Sequence, residues 1–474
     1  MKESTPTQKR LRELLPDAQY FPVACDPVVS AAVSDDPSDV SDGGLYVHLD
    51  ECDAEGAERA AQRGVSAVIS ERLLPGVDAP QAVVEDARIA HRLLSEALVE
   101  APLDRTPLVT SGGSDGQDAI SRLVALMANR TGAMAGWFDR LACDDGEEQI
   151  EHQVPSPHSK DWQRWLARCS AGGAAVAISA VDAQRVLPTS WNRAPSIACL
   201  VNLRADGLDV QGRRRWESPA EHRQQIKHSL GLLHPDTTLV VNADDADCAA
   251  LAASHPGPLC TFGFRGTADV RGTLVEECPG AQTILIQHGR QSVAADIPHT
   301  GAMRRNECLA AAAVGLAMGV DLTTVARSLE LSAPTPGRME SIVCGQPFSV
   351  FLDHAMRPNR LRGAMADASP AGGGRLVVSL RLSDDPGVAL EQLSVAECMA
   401  DRVIAHGGSL QSEIASKKTT LLDDALPALA LAVGLAEEYD SVLVAGSFDP
   451  AEDRALLEDL LRHRLGCEER LGTA

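Results

Sequence analysis

Residues 107–132, "PLVTSGGSDGQDAISRLVALMANRTG", contain Gly113 and Gly116 between an apolar β-branched run and an amphipathic stretch. A strand, a glycine turn and a helix in that order can cradle phosphate oxygens on loop amides and on the positive end of the helix. A working loop of this kind places Lys, for the phosphates, and Ser or Thr, for magnesium, just after its last glycine. Here Gln117 and Asp118 stand in those places, and Asp115 precedes Gly116. Carboxylates beside a phosphate repel it by ~1–4 kcal/mol at ~4 Å in surface-like dielectrics. Losing one charge-assisted contact costs a further ~1.5–3 kcal/mol. The glycines keep the shape of a phosphate site while the charge is reversed, so nucleotide binding is expected to be weak unless another cation reaches the loop.

The elements around this loop form an α/β chain. Short apolar runs at 43–49, 65–70 and 81–85 alternate with helical patterns at 54–64 and 87–101. Further strands are expected at 107–111, 174–180, 196–203, 237–243 and 283–288, and a helix at 306–320. Runs of this length bounded by turn residues suit strands buried on both faces of a mostly parallel sheet. The Pro-rich "SAPTPGRMES" then leads to strands at 348–354, 375–380, 401–406 and 440–446, each followed by helical pattern. Boundaries are read at 104 and 335, giving units 1–104, 105–335 and 336–474, without internal repeats.

Composition bounds the function. The 474 residues are 44% hydrophobic and carry a net charge of -23 with no long basic run, which argues against nucleic-acid binding. No apolar run reaches the ~18 residues of a membrane span. The opening residues lack an apolar signal core, and a cytoplasmic, monomeric protein is expected. Twelve cysteines show neither a C-x-x-C pair nor zinc spacing, and most, such as Cys143, Cys169, Cys199 and Cys260, read as reduced residues in or near the core. Lysine is rare against arginine, which draws attention to Lys227.

Longer strings resemble the Mur ligases. "PGRMESIVCGQPFSVFLDHAMRPNRL" (336–361) is similar to that family's P-G-R-M/F-E run and the strand ending D-Y-A-H-x-P. "LVVNADDADCAAL" (239–251), "NECLAAAAVGLAMGV" (306–320), "LVNLRADGLDVQG" (200–212) and "SDDPSDVSDGGLYVHL" (34–49) resemble further family motifs in the family's order. Within the family the resemblance is greatest to UDP-N-acetylmuramoyl-tripeptide synthetase, which adds the third residue of the peptidoglycan stem peptide. It implies a three-domain α/β architecture: a small N-terminal UDP-sugar-binding domain, a central P-loop-like domain and a C-terminal Rossmann-like domain. It also implies chemistry in which MgATP phosphorylates a carboxylate that an incoming amine then attacks.

Carried over by motif, the nucleotide-side residues are Gly113, Gly116, Asn306, Arg338 and Asp353, and the UDP-sugar residues are Asp36 and Ser38. Lys227 matches a lysine that is carbamylated in the family, and Asp209 remains from its D-H-L-D-x-H block. Other positions depart from the pattern. Ser179 stands at the magnesium-holding Glu and Ala183 at a His, with Asp182 close by as a weak metal candidate. Gly207 and Gln211 replace two further histidines. "GSLQ" (408–411) replaces D-N-P-R, and "AGSFDP" (445–450) replaces A-G-K-G-H-E. No metal site is assigned, and MgATP enters only through the resemblance.

Backbone-shaping residues persist while those bringing charge to phosphate, metal or amino acid are mostly replaced. The expected function is a catalytically degenerate Mur ligase-like protein that binds a ligand, such as a UDP-N-acetylmuramoyl-peptide, or a partner. An active ligase joining an amino acid to UDP-N-acetylmuramoyl-dipeptide is one alternative. A structural protein partnering an active cell-wall enzyme is another.

Overall fold

The computed structural model describes residues 9–472 except 30–32, 36, 38, 39, 41, 50–53, 99–105, 153–158, 182–194, 204–217, 232, 279, 334–336, 371, 409–416 and 447–449. Both expected unit boundaries fall in or beside omitted stretches. Three main sheets follow one another along the chain.

The first sheet has five strands, with Leu45–Val47 and Ala67–Ser70 parallel at its centre and Gln19–Phe21 antiparallel at its edge. Glu55–Gln62 and Ala87–Leu98 are its helices. Buried residues between 11 and 94 form its two apolar clusters.

The second sheet has eleven strands. Its central strands run parallel, and Leu108–Gly112 lies between Val176–Ala180 and Ile197–Leu200. All five residues of Leu108–Gly112 are buried, as a parallel strand covered on both faces requires. Both flanks turn antiparallel, and here the structure departs from the sequence reading. The run at 283–288 lies in Ala281–His288, the middle of an antiparallel meander with Val270–Cys278 and Gln291–Ile297. Its burial alternates along the strand because only one face of the meander meets the core. The helix Ala302–Ala317 is buried along most of its length and packs against the helix Gln117–Arg130 that follows the glycine turn.

The third sheet has six strands, with Ser349–Asp353, Ser441–Ala445, Leu376–Arg381 and Arg402–His406 parallel and adjacent. Two apolar clusters cover its faces. Among the described residues, no helix is long and apolar enough to cross a membrane.

Candidate functional site

The glycine turn sits at the carboxyl end of Leu108–Gly112, where open parallel sheets place their ligands. Gly116 caps the following helix with φ of 91°. That left-handed backbone favours glycine, and a Cβ added there would also press on the Glu307 side chain at 3.0 Å. The turn is pinned from the neighbouring strand end. Asn202 accepts from the Asp115 amide at 3.0 Å through its side chain and donates to the Asp115 carbonyl at 2.9 Å. The Asn202 carbonyl accepts from the Ser114 amide at 3.1 Å, and the Gly116 amide donates to Asp115 Oδ1 at 3.2 Å. Three loop amides are therefore bonded inside the protein.

The acidic side chains of the loop face arginines from beyond residue 336. Arg338 pairs through Nη1 with Asp115 Oδ1, and through Nη2 with Asp118 Oδ2 at 3.4 Å. Arg360 Nη1 lies 3.3 Å from Asp115 Oδ2. Arg360 also grips Asp353 with Nε at 3.1 Å and Nη2 at 2.7 Å, a bidentate fork. Asp353 in turn accepts from the Met339 amide at 2.8 Å, which fixes the turn carrying Arg338. Arg357 donates to the Ser114 carbonyl. No side chain among Asp115, Asp118, Arg338, Arg360 and Asp353 is more than 10% exposed, so these pairs act in a low-dielectric setting.

The charge states follow from this packing. Burial pushes the Asp115 carboxyl up, but Arg338, then Arg360 and Arg357, more than offset that and hold it far below the usual carboxylate range. Burial acts against the charge of Arg360, while Asp115 and Asp353 raise its pKa above the ordinary value. Glu307, buried against the turn and paired with Arg304 at 3.1 Å, is raised by burial despite the arginines around it.

On the metal side, Ser179 is fully buried at the end of Val176–Ala180. Its hydroxyl accepts from Trp162 Nε1 at 3.0 Å and donates to the Ala180 carbonyl at 3.1 Å. Trp162 belongs to the helix Ser159–Gly172, and its ring stacks at a tilt against Trp165 in an apolar cluster with Phe138. An indole thus lies against the position where the resemblance expects a magnesium carboxylate. Among the described residues, no three His, Cys, Asp or Glu side chains group to hold a metal ion.

Of the residues singled out from sequence, Gly113, Gly116, Arg338 and Asp353 meet at this one place. Asn306 is half-buried on Ala302–Ala317, and it is the adjacent Glu307 that touches the turn. Lys227 is exposed on the helix Pro219–Gly231. Asp209, Asp36 and Ser38 lie outside the described residues, as do Asp182, Ala183, Gly207 and Gln211. Asp244 and Asp245 make structural bonds: Asp244 accepts from the Phe264 and Arg265 amides, and Asp245 caps Ala246–Ala252. Arg357, Arg360, Glu307 and Trp162 were not anticipated. The arginines at i and i+3 in "RPNR", at the start of the helix Pro358–Ala368, were the available signal.

No family model matches the chain. Full-length relatives do. The chain is 26% identical over 442 residues to the UDP-N-acetylmuramoyl-L-alanyl-D-glutamate--2,6-diaminopimelate ligase of Geobacillus kaustophilus (strain HTA426), covering 88% of this chain and 89% of that one. It is 23% identical to the ligase of the same name from Listeria innocua serovar 6a, covering 98% and 100%. Among solved structures it superposes on MurF from Acinetobacter baumannii with a TM-score of 0.63 at 18% identity, covering 96% and 99%. MurF ligase from Thermotoga maritima in complex with ADP gives 0.61 at 15% identity, covering 91% and 98%. These structural likenesses carry the three-sheet α/β fold.

Proposed function

Because the chain belongs to the Mur ligase family, we propose that it is a catalytically degenerate member acting by binding, with a UDP-N-acetylmuramoyl-peptide as the ligand class. The observation that carries this reading is the pairing of Asp115 and Asp118 with Arg338 and Arg360 at the mouth of the turn. A triphosphate arriving there meets two carboxylates, and the guanidiniums that could neutralise it are already paired. Displacing them would leave buried carboxylates uncompensated, which costs ~3–5 kcal/mol per broken buried pair. The loop amides are committed to Asn202 and Asp115. The Trp162–Ser179 contact puts an apolar ring on the metal side. These residues do not fit MgATP.

A second reading keeps the activity. Arg338, Arg357 and Arg360 bring three guanidiniums to the loop, and a cation there is what the missing P-loop lysine would need as a substitute. Calorimetric titration with MgATP, with and without UDP-N-acetylmuramoyl-dipeptide, separates the two. The proposal expects no ATP heat and saturable binding of the UDP-muramoyl ligand. Micromolar ATP binding with turnover in the presence of an amino acid would overturn it in favour of an active ligase. Silence with both ligands would move the function to a protein partner.

A further inference from the structure

We propose that Asp115 and Asp118 stand in for the phosphate oxygens of a nucleotide, so that the loop clasps the C-terminal unit against the central one in its absence. This rests on the reading that the loop takes no nucleotide.

The large central apolar cluster is built from residues 109–329, and the two clusters of the last sheet from residues 351–445 and 342–461. Among the described residues, no apolar cluster is shared between them. An interface without a common hydrophobic core is expected to let its units move relative to one another. Here polar contacts take that place. The Arg338 and Arg360 pairs to Asp115 and Asp118 cross the interface, as does the bond from Arg357 to the Ser114 carbonyl.

A further contact runs the other way. The helix Ala302–Ala317 begins after Gly301, which has no side chain to cap it. Asp367, on the C-terminal helix Pro358–Ala368, accepts from the Ala302 amide at 3.0 Å and so supplies the cap from across the interface. A carboxylate on each side thus answers a positive group on the other.

The chemistry of the substitution is direct. A carboxylate presents two anionic oxygens to a guanidinium fork, as a phosphate does, and both are bound by the same bidentate geometry. Asp115 offers Oδ1 to Arg338 and Oδ2 to Arg360, bridging the two arginines. The bridge belongs to the chain itself, so closure carries no concentration term.

The test uses the full chain in solution. Small-angle scattering reads the overall extension, and hydrogen exchange reads the peptides covering 113–118 and 357–361. Wild type is expected to give the same scattering and exchange with and without MgATP or inorganic pyrophosphate. Asp115→Ser with Asp118→Ser should expand the particle and speed exchange in both peptides by about tenfold or more. Pyrophosphate should then restore the compact form in that variant, a rescue that no purely structural ion pair would show. Arg357→Ala removes a contact at the rim while Asp115 keeps Arg338 and Arg360, and should by itself speed exchange severalfold, a readout that stands even where the double variant does not fold.

Unchanged scattering and exchange in these variants, or an expanded variant that pyrophosphate leaves open, would overturn the clasp. Such a result leaves the degenerate reading standing if wild type still takes no ATP. Wild type that closes only on adding MgATP would overturn both.

Discussion

Asp115 accepts from two guanidiniums and from the Gly116 amide, and every oxygen it has is used inside the fold. Removing one partner from such a buried group costs more than the pair contributes, because the other charge stays behind. His299 shows the same sensitivity in a titratable form. Its ring nitrogen contacts the Ser332 carbonyl at 3.2 Å, and burial first, then Arg304, hold its pKa down to about 4 from 6.5. Between those values the unfolded chain binds a proton that the folded chain refuses. The stabilisation is fully present above pH 6.5 and is lost as pH falls toward 4. The loss is on the order of 3 kcal/mol. Thermal melts of wild type and His299→Gln across this range check it: the substitution is expected to flatten the acid slope.

At the scale of elements, turns are set by residues that no other side chain can replace. Gly337 has φ of +63°, and a Cβ there would come within 2.4 Å of the His354 ring. Its amide donates to Glu340 at 3.0 Å, and its carbonyl accepts from the His354 amide. Gly337→Ala strains the backbone and displaces the turn that aims Arg338, so denaturant unfolding should show a loss of ~1–3 kcal/mol. The helix Ser159–Gly172 offers a different test. Trp162 is nearly buried and its indole bonds the Ser179 hydroxyl. Trp162→Ala leaves a large cavity and removes the donor to the Ser179 hydroxyl, and is expected to cost ~3–5 kcal/mol by the same measurement. A loss below 1 kcal/mol would mean that the ring does not fill this position.

At the scale of the whole molecule, the central and C-terminal sheets are tied by polar contacts where their two units meet. Salt screens exposed charges beyond about 10 Å at 0.1 M but acts weakly on buried pairs. The compact form is therefore expected to persist at high ionic strength in solution scattering, in line with side chains 10% exposed or less.

Much of this protein is legible in local patterns. Apolar runs of strand length alternating with amphipathic stretches announce the α/β layering, since burial on two faces demands continuous hydrophobicity. The turn at Gly113 and Gly116, and the loss of lysine beside it, are equally plain, because backbone conformation and charge are properties of single residues. The antiparallel meander after residue 270 was not legible, as Ala281–His288 has the same apolar run whether its neighbours lie parallel or antiparallel. The meaning of Asp115 was not legible either. In sequence it is a charge that repels phosphate; in the fold it is the partner of Arg338 and Arg360, which lie more than 220 residues away. Local propensity carries no information about pairs so distant. Only tertiary packing brings those guanidiniums to the loop and decides that the acids there are bonded and not exposed, because an ion pair depends on distance and burial.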